Sequence, residues 1–316
     1  MPSLKTLSAR EERLSPGHRL CAGCGASVAV RQILMSTELP VVVAASTGCL
    51  EVATTIYPYS AWKVPFIHNA FENSAATITG VESMYRALKK RGRLDQDKKI
   101  KFIAFGGDGG TYDIGLQALS GALERGHDFT YVCYDNEAYM NTGIQRSSAT
   151  PIGANTTTSP CGDEIPGKRD YKKNLTHIVV AHDVPYAAQA TPSYYMDLIN
   201  KAQKAIETDG PTFLNVLSPC PRGWRADATK FRELGQTAVA TCLWPLYEVV
   251  DGKYVLNGMS KRIADGKAEK KPLVDWLSMQ GRFKHLFADE KGKAIIENAQ
   301  KKVDRDWEKI KALASI

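Results

Sequence analysis

The glycine-rich stretch that indicates the fold is Phe105-Gly106-Gly107-Asp108-Gly109-Gly110-Thr111-Tyr112-Asp113. Its first residue, Phe105, is the last residue of an apolar run that begins at Ile100. A second polar stretch, Tyr134-Asp135-Asn136-Glu137-Ala138-Tyr139-Met140-Asn141-Thr142-Gly143, follows the apolar run 129–134 in the same way. Each stretch therefore begins at the carboxyl end of a predicted buried strand. Open α/β sheets bind their ligands at that edge, so these two stretches organise both the predicted fold and the predicted site.

The glycines at 106, 107, 109 and 110 allow main-chain N–H groups to come close to a phosphate, and the helix predicted from Tyr112 points its positive end at the same anion. A diphosphate also needs a divalent cation. Asp108 and Asn136 offer a carboxylate and an amide oxygen from adjacent strand ends, which are hard ligands suited to magnesium or calcium. A tight turn or a mononucleotide site is the alternative interpretation of the glycine-rich strand end.

Gly107-Asp108-Gly109, followed on the next strand by Asn136, resembles the fingerprint of thiamine diphosphate enzymes. The resemblance implies that Asp108, Asn136 and the main-chain carbonyl of Ala138 hold the metal ion. It also implies that Gly107 and Gly109 border the cofactor.

Length and composition indicate a globular chain with a sizeable core, since it has 316 residues of which 43% are hydrophobic. The formal net charge of +7 is dispersed along the chain, which argues against nucleic acid as a partner. There is no apolar run long enough to span a membrane, and the charged N-terminal segment lacks a secretory signal. We therefore expect a cytoplasmic protein.

Seven cysteines are an odd number, which favours thiols that bind metal or sit in the core over a pure disulfide framework. Cys133 and Cys242 lie in apolar stretches and are predicted to be buried as small hydrophobic residues. In contrast, Cys21-Ala22-Gly23-Cys24-Gly25 lets two thiolates chelate one centre. Zinc, an iron–sulfur cluster and a redox disulfide all use this spacing, and the last ranks third because no strand precedes Cys21.

Two further cysteines follow predicted strands. Cys49 comes after the strand 41–45, and Cys220 comes after the strand 212–217. Cys161 lies in a similar Ser-Pro-Cys sequence and competes with Cys220 for the same role. Cys220 is preferred because its strand belongs to the same predicted sheet as the strand before Cys49, whereas Cys161 lies in the irregular segment 141–169.

The alternation of strands and helices predicts an α/β fold with a parallel sheet flanked by helices over residues 1–225. The predicted helices are 26–36, 71–90, 112–124, 171–182 and 194–208, and the predicted strands are 41–45, 100–105, 129–134, 185–190 and 212–217.

Residues 226–316 have a different pattern, which predicts a mostly helical C-terminal extension. We expect helices over 230–243, 272–287 and 290–314 and a hairpin over 247–256 with Asp251-Gly252 at its turn. The region as a whole is interpreted as an extension that grips a partner subunit, and five of its apolar side chains as a face that covers another surface. They are Trp276, Leu277, Phe283, Leu286 and Trp307.

Five short segments together resemble the β subunit of a 2-oxoacid:ferredoxin oxidoreductase of the pyruvate type. They are Cys-Ala-Gly-Cys-Gly at 21–25, Thr-Gly-Cys at 47–49, Gly-Asp-Gly-Gly at 107–110, Asp-Asn-Glu-Ala-Tyr-Met-Asn-Thr-Gly at 135–143 and Ser-Pro-Cys-Pro at 218–221. The resemblance implies the diphosphate-side thiamine-binding fold and a 4Fe-4S cluster on Cys21, Cys24, Cys49 and Cys220. The implied reaction is decarboxylation of a 2-oxoacid with coenzyme A, with electrons passing through the cluster to ferredoxin.

Other residues receive roles from their places beside these motifs. Thr47 and Gly48 are expected to line the approach between the cluster and the thiazolium, and Thr142 to border the cofactor. Asn141 is expected to face the reacting carbon as the catalytic residue of this chain, with loop filler as the alternative. His68 could contact the cofactor, or it could simply cap the helix that follows.

None of the glutamates has a motif that recommends it for activating the aminopyrimidine. The resemblance therefore implies an α subunit that supplies the pyrimidine-side domain and the catalytic glutamate, with γ and ferredoxin-like δ subunits beside it. The sequence leaves the substrate open among pyruvate, oxalate, phenylglyoxylate and branched 2-oxoacids. A zinc-stabilised nucleotide-binding module is the alternative from a different class, and a thiamine decarboxylase or synthase with incidental cysteines is a third.

Overall fold

Eight strands form one sheet in the computed structural model, which describes residues 3–162 and 164–315. The strands are β1 Val41–Ser46, β2 Phe66–Asn69, β3 Lys101–Gly107, β4 Phe129–Asp135, β5 Tyr186–Ala190, β6 Pro211–Leu217, β7 Tyr247–Val250 and β8 Lys253–Leu256. Their order across the sheet is β2-β1-β3-β4-β6-β5-β7-β8. Strands β1 to β6 pair in parallel, and β7 and β8 pair antiparallel at one edge. The predicted α/β fold with a parallel sheet is confirmed.

Helices cover both faces of the sheet. They are α1 Leu4–Ser8, α2 Gly25–Met35, α3 Cys49–Thr54, α4 Ser74–Lys90, α5 Leu116–Glu124, α6 Leu175–Val180, α7 Tyr195–Glu207, α8 Pro221–Trp224, α9 Phe231–Ala240, α10 Gly258–Ala264, α11 Leu273–Ser278 and α12 Glu290–Ala314. Short 3-10 turns lie at Pro192–Tyr194, Ala228–Lys230 and Gly281–Phe287, and a π-helical turn lies at Gly109–Ile114.

The core consists of layers on the two sides of the sheet because successive strand residues point to opposite faces. Val132 and Tyr134 pack with the layer that includes α2 and α7, whereas Tyr131 and Cys133 pack with the layer that includes α4 and α5. The predicted burial of Cys133 and Cys242 is confirmed.

Some local boundaries differ from the predicted ones. The segment before His68 was predicted to be irregular, but it includes the edge strand β2, whose mostly half-buried residues carry no alternating apolar pattern. The helix predicted from Tyr112 is preceded by the π-helical turn Gly109–Ile114, and its α-helical part begins at Leu116. Helix α4 begins at Ser74, three residues later than predicted, and the helix predicted over 171–182 covers only Leu175–Val180.

The C-terminal region continues the sheet before it becomes helical. The hairpin β7-β8 is confirmed, and its turn residues Asp251 and Gly252 have φ values of 47° and 79°, as a type I′ turn requires. Helix α12 has the predicted limits. No helix in residues 3–162 and 164–315 is both long enough and apolar enough to cross a membrane.

The apolar side chains of the C-terminal region are covered by this chain itself. Trp276, Leu277, Phe283, Leu286 and Trp307 are all buried in its own core clusters. The surface that this face covers therefore belongs to this chain, which the periodicity of an apolar face does not reveal. A subunit contact through other residues of 226–316, and the boundary at residue 225, stay predictions.

Candidate functional site

Four neighbouring strands place their carboxyl ends side by side, because β1, β3, β4 and β6 are adjacent and parallel. The turns that follow β1, β3 and β4 enclose one cleft. Most of the residues predicted to bind the cofactor line it, together with neighbours that the sequence did not single out. The lining residues are Thr47, Gly48, Cys49, Phe71, Gly107, Gly109, Gly110, Tyr134, Asn136, Ala138, Tyr139, Met140, Asn141 and Thr142.

The three predicted magnesium ligands lie together at this cleft. The side-chain amide of Asn136 is 2.8 Å from Oδ1 of Asp108 and 2.9 Å from the carbonyl oxygen of Ala138. The amide can take two orientations. If its nitrogen faces Asp108 and Ala138, it donates a hydrogen bond to each of their oxygens. If its oxygen faces them, three oxygens converge with no proton donor between them. The second arrangement is stable only around a cation, and oxygen ligands of this kind suit a hard divalent ion.

Asp108 is completely buried, and burial together with the charge of Asp135 raises the pKa of Asp108 well above its ordinary value. Two protein donors reach this carboxylate. The backbone N–H of Asn136 donates to Oδ1 at 3.3 Å, and the hydroxyl of Ser147 donates to Oδ2. Ser147 belongs to the segment 141–169 and was missed from the sequence, because a serine in an irregular segment gives no signal of its partner.

Tyr139 closes the cleft over the glycine-rich turn. Its ring fills the space that a side chain on Gly109 would need, and its hydroxyl donates to the carbonyl of Gly109 at 2.9 Å. The glycine at 109 thus accommodates a neighbouring aromatic ring in this structure. Asn141 and Thr142, two and three residues further on, line the same cleft.

A buried ionic network supports the segment that carries Asn136 and Ala138. The ammonium of Lys172 lies 2.7 Å from Asp135 Oδ2 and 3.1 Å from Glu137 Oε1. Arg282 pairs with the other carboxylate oxygen of Glu137. Although burial would raise the pKa of Glu137, Lys172 and Arg282 outweigh it and hold that pKa below its ordinary value. The network therefore favours the charged form of Glu137, whereas burial raises the pKa of Asp135 despite the nearby Lys172.

Trp224 connects the Arg282 end of this network to the backbone of Asn136. The guanidinium of Arg282 lies 4.5 Å from the ring of Trp224, whose indole N–H donates to the carbonyl of Asn136 at 2.8 Å. The sequence did not indicate Lys172, Trp224 or Arg282 as parts of the site. Nothing local marks them, since each is distant in sequence from the residue that it supports.

The segments that carry the four predicted cluster ligands also converge. The N–H of Gly25 donates to the carbonyl of Pro219 at 2.9 Å, which joins the Cys21–Cys24 turn to the turn of Cys220. Burial and the charges of Cys220, Cys24 and Cys21 raise the pKa of Cys49 to about 12, so all four thiols act on one another electrostatically. All seven cysteines are free thiols.

Among the described residues, no three His, Cys, Asp or Glu side chains are grouped closely enough to chelate a single ion. A four-iron cluster makes a different demand, because each thiolate binds a different iron and the four sulfurs stand further apart. Four convergent cysteines form a donor set that suits such a cluster. Cys161 forms a backbone bridge with Pro166 in the irregular segment, and its charge is not among those that raise the pKa of Cys49.

His68 lies apart from the other predicted site residues. It is on β2, its side chain is more than half exposed, and its Nδ1 is 2.6 Å from Glu51 Oε1. It is not among the residues that line the cleft in the part of the chain that the structure describes. Its predicted contact with the cofactor stays a prediction.

Residues 46–216, more than half of the chain, match the family described as thiamine pyrophosphate enzyme, C-terminal TPP binding domain. The pyruvate synthase subunit PorB of Thermotoga maritima is 51% identical over 310 residues, which are 97% of this chain and 94% of that protein. The subunit of the same name from Methanocaldococcus jannaschii is 50% identical over 295 residues, or 93% of this chain and 95% of that protein.

A relative named for another substrate is also similar. The ketoisovalerate oxidoreductase subunit VorB of Pyrococcus furiosus is 43% identical over 307 residues, which are 97% of this chain and 94% of that protein. Among solved structures, a 2-oxoglutarate:ferredoxin oxidoreductase from Magnetococcus marinus aligns with a TM-score of 0.54 and 19% identity. The alignment covers 71% of this chain and 79% of the Magnetococcus marinus chain, and it shows that the two share a fold.

Proposed function

Because the chain belongs to the thiamine pyrophosphate-binding β subunits of the 2-oxoacid:ferredoxin oxidoreductase family, we propose that it serves the oxidative decarboxylation of pyruvate with coenzyme A. The chain is a subunit of a multisubunit oxidoreductase, as are the relatives that it matches over nearly its whole length. Thiamine diphosphate, when bound, supplies the carbon nucleophile and the electron sink for decarboxylation.

In this proposal Asp108, Asn136 and the carbonyl of Ala138 hold Mg²⁺ or Ca²⁺, which in turn holds the diphosphate. The 2.8 and 2.9 Å separations between these groups support the assignment. Lys172 and Arg282 keep the metal-binding segment in place through Asp135 and Glu137. Asn141 and Thr142 border the cleft, where Asn141 donates a hydrogen bond to the reacting substrate.

Cys21, Cys24, Cys49 and Cys220 hold a 4Fe-4S cluster in this proposal. The convergence of their segments supports it, as does the position of Cys49, which lines the same cleft as Asn136. Thr47 and Gly48 precede Cys49 in that wall of the cleft, between the two proposed cofactor positions. Thiols of this kind persist in a reducing compartment, and we propose the cytoplasm.

The proposed partners follow from what the cleft lacks. No glutamate is among its lining residues within the described ranges, so an α subunit supplies the pyrimidine-side domain and the catalytic glutamate. Ferredoxin-like δ and γ subunits complete the assembly, and ferredoxin accepts the electrons.

Pyruvate is preferred as substrate because the PorB subunits named above are more similar to this chain than the VorB subunit. Branched-chain, aromatic and dicarboxylic 2-oxoacids are the alternatives.

The observation that carries the proposal is the convergence of Asp108, Asn136 and the Ala138 carbonyl in the cleft that Cys49 also lines. The test uses the co-purified complex and measures viologen reduction with a panel of 2-oxoacids in the presence of coenzyme A. We expect the highest kcat/KM with pyruvate, and iron with acid-labile sulfide in metal analysis. A higher kcat/KM with a branched acid overturns the substrate assignment, and stoichiometric zinc without iron overturns the redox assignment.

A further inference from the structure

The side chain of Tyr134 extends from β4, the strand before the proposed metal ligand Asn136, to the segment that carries Cys49. It lies near the end of β4, opposite Gly107 of β3. A methyl group built on Gly107 would be 3.3 Å from the Tyr134 ring, and one on Gly48 would be 2.6 Å from the Tyr134 hydroxyl. The ring therefore passes over Gly107, and its hydroxyl ends against Gly48, the residue before Cys49. Both glycines leave the room that this tyrosine needs.

The hydroxyl of Tyr134 has no hydrogen-bond acceptor among the described residues, although Tyr134 is only 2% exposed; the nearby backbone N–H of Leu50 can only donate to it. Buried polar groups in folded proteins nearly always have a partner. Leaving a buried hydroxyl proton without an acceptor is unfavourable. The described residues therefore leave this hydroxyl free to donate to a bound group.

The position of the hydroxyl indicates which group that is. It ends against Gly48, where an added methyl group would be 2.6 Å away, and Gly48 immediately precedes Cys49. Of the two proposed cofactors, the cluster is the one attached at Cys49, next to the glycine that the hydroxyl touches. A phenol is protonated at neutral pH and can donate to sulfur.

We propose that Tyr134 is a positioning residue whose hydroxyl donates a hydrogen bond to a sulfur of the iron–sulfur cluster beside Cys49. The inference rests on the proposed function, since it requires the cluster on Cys21, Cys24, Cys49 and Cys220. Hydrogen bonds to cluster sulfurs stabilise the reduced state and raise the reduction potential. Tyr134 also lines the cleft. Its hydrogen bond thereby makes the cluster a better acceptor for electrons that arise in that cleft.

Tyr131 provides a matched control on the same strand. Its hydroxyl is also buried beside a glycine of the same turn, Gly106, but on the opposite face of the sheet. That hydroxyl lies 3.1 Å from Oγ1 of Thr111, so its hydrogen bonding is satisfied within the chain. Removing it should not affect a group attached at Cys49.

The test compares Tyr134→Phe with Tyr131→Phe in the whole complex, by titrating the cluster potentiometrically with detection by EPR spectroscopy and no 2-oxoacid present. For Tyr134→Phe we expect a more negative midpoint potential, with a reduced-to-oxidised ratio at fixed potential that falls roughly fivefold, as for the loss of one net hydrogen bond. Iron content and thiamine diphosphate affinity should stay unchanged. Tyr131→Phe should keep the potential of the unmodified complex.

An unchanged potential in an iron-replete Tyr134→Phe complex overturns the inference. A weaker thiamine diphosphate affinity with an unchanged potential also overturns it, because the hydroxyl then serves the other cofactor. If the unmodified complex contains no iron, the proposed function itself has failed, which is a distinct result. Should Tyr134→Phe not assemble, replacing Tyr134 with 3-fluorotyrosine keeps the ring and strengthens the donor while leaving it protonated at neutral pH. The midpoint potential should then become more positive. No shift, or a negative one, contradicts the inference.

Discussion

The side-chain amide of Asn136 lies 2.8 Å from Oδ1 of Asp108, although 28 residues separate the two positions in the chain. The parallel register of β3 and β4, in which Gly107 stands opposite Tyr134, produces this proximity. A shift of this register by one residue would turn every side chain of β4 to the other face of the sheet. Strand pairing is thus the physical cause of this proximity, on which the proposed metal site depends.

Asp108→Asn should weaken the binding of thiamine diphosphate in magnesium buffer by roughly 100-fold or more, because it removes a charged metal ligand. Isothermal titration of the complex measures this change, and the iron content should stay the same. Asp128→Asn is the control, since Asp128 pairs with Lys101 at the opposite end of these strands. An affinity of the Asp108 variant within threefold of the unmodified complex would contradict the assignment.

Cys220→Ser should abolish the intact cluster, whereas Cys161→Ser should retain it. The reason is that Cys220 lies with the other three thiols, while Cys161 belongs to the irregular segment near Pro166. Iron and acid-labile sulfide analysis, together with the EPR spectrum of the reduced complex, distinguishes the two variants. Loss of iron in the Cys161 variant with full iron in the Cys220 variant would reverse the assignment.

Gly25→Ala should lower the iron content, because the added methyl group would lie 2.7 Å from the backbone nitrogen of Pro219 and force two cysteine segments apart. Gly80→Ala is its control in helix α4, where an added methyl group meets nothing within 4 Å. That substitution should raise the free energy of unfolding by about 0.5–1 kcal/mol, since alanine favours a helix interior. Metal analysis and chemical denaturation measure the two effects, and equal iron loss in both variants counts against the close approach at Gly25.

Arg282→Met should lower the free energy of unfolding by about 3–5 kcal/mol, because it leaves the buried carboxylate of Glu137 without one of its two cations. The double variant Glu137→Gln with Arg282→Met should recover part of that loss. Lys293→Met removes an exposed pair with Glu290 and should change stability by less than about 1 kcal/mol. Denaturation by urea tests all three, and a loss for Arg282→Met as small as that for Lys293→Met would contradict the role of the network.

Glu248→Gln should destabilise the chain by about 1–3 kcal/mol at pH 7, and this difference should shrink in acid. Burial would raise the pKa of Glu248, but hydrogen bonds from Lys204 and Tyr186 outweigh it and hold the pKa below its ordinary value of 4.5. A lowered folded-state pKa contributes stability above the unfolded-state pKa and loses it as the pH falls through the folded-state value. Unfolding measured at pH 7 and at several values below 4.5 tests this, and a difference that grows in acid would contradict it.

The sequence predicted the parallel sheet and most of the cleft because the relevant signals are local. Asp108 comes three residues after the apolar run 100–105 and Asn136 two residues after the run 129–134, and parallel strands end at one edge. Lys172 and Arg282 could not be found this way. A charged residue in an irregular or helical segment is usually solvated, and only the tertiary structure places these two against Glu137.

The π-helical turn and the strand β2 were missed for related reasons. A π turn differs from an α-helix by one extra residue per turn, and no local composition rule separates the two. Strand β2 has mostly half-buried residues, so it lacks alternation and gains its structure from pairing with β1. The apolar residues of the C-terminal region were recognised as a buried face, but the sequence cannot show that this chain covers them itself.

Arg282 reaches Glu137 across 145 positions of the chain, and this distance has a consequence for biosynthesis. At the usual pace of translation, roughly 7–30 s pass between the appearance of the glutamate and that of its arginine at the ribosome. During that interval the nascent polypeptide has no means of completing the charge balance next to Asn136. Truncated products that end before residue 282 are therefore expected to be substrates for proteases.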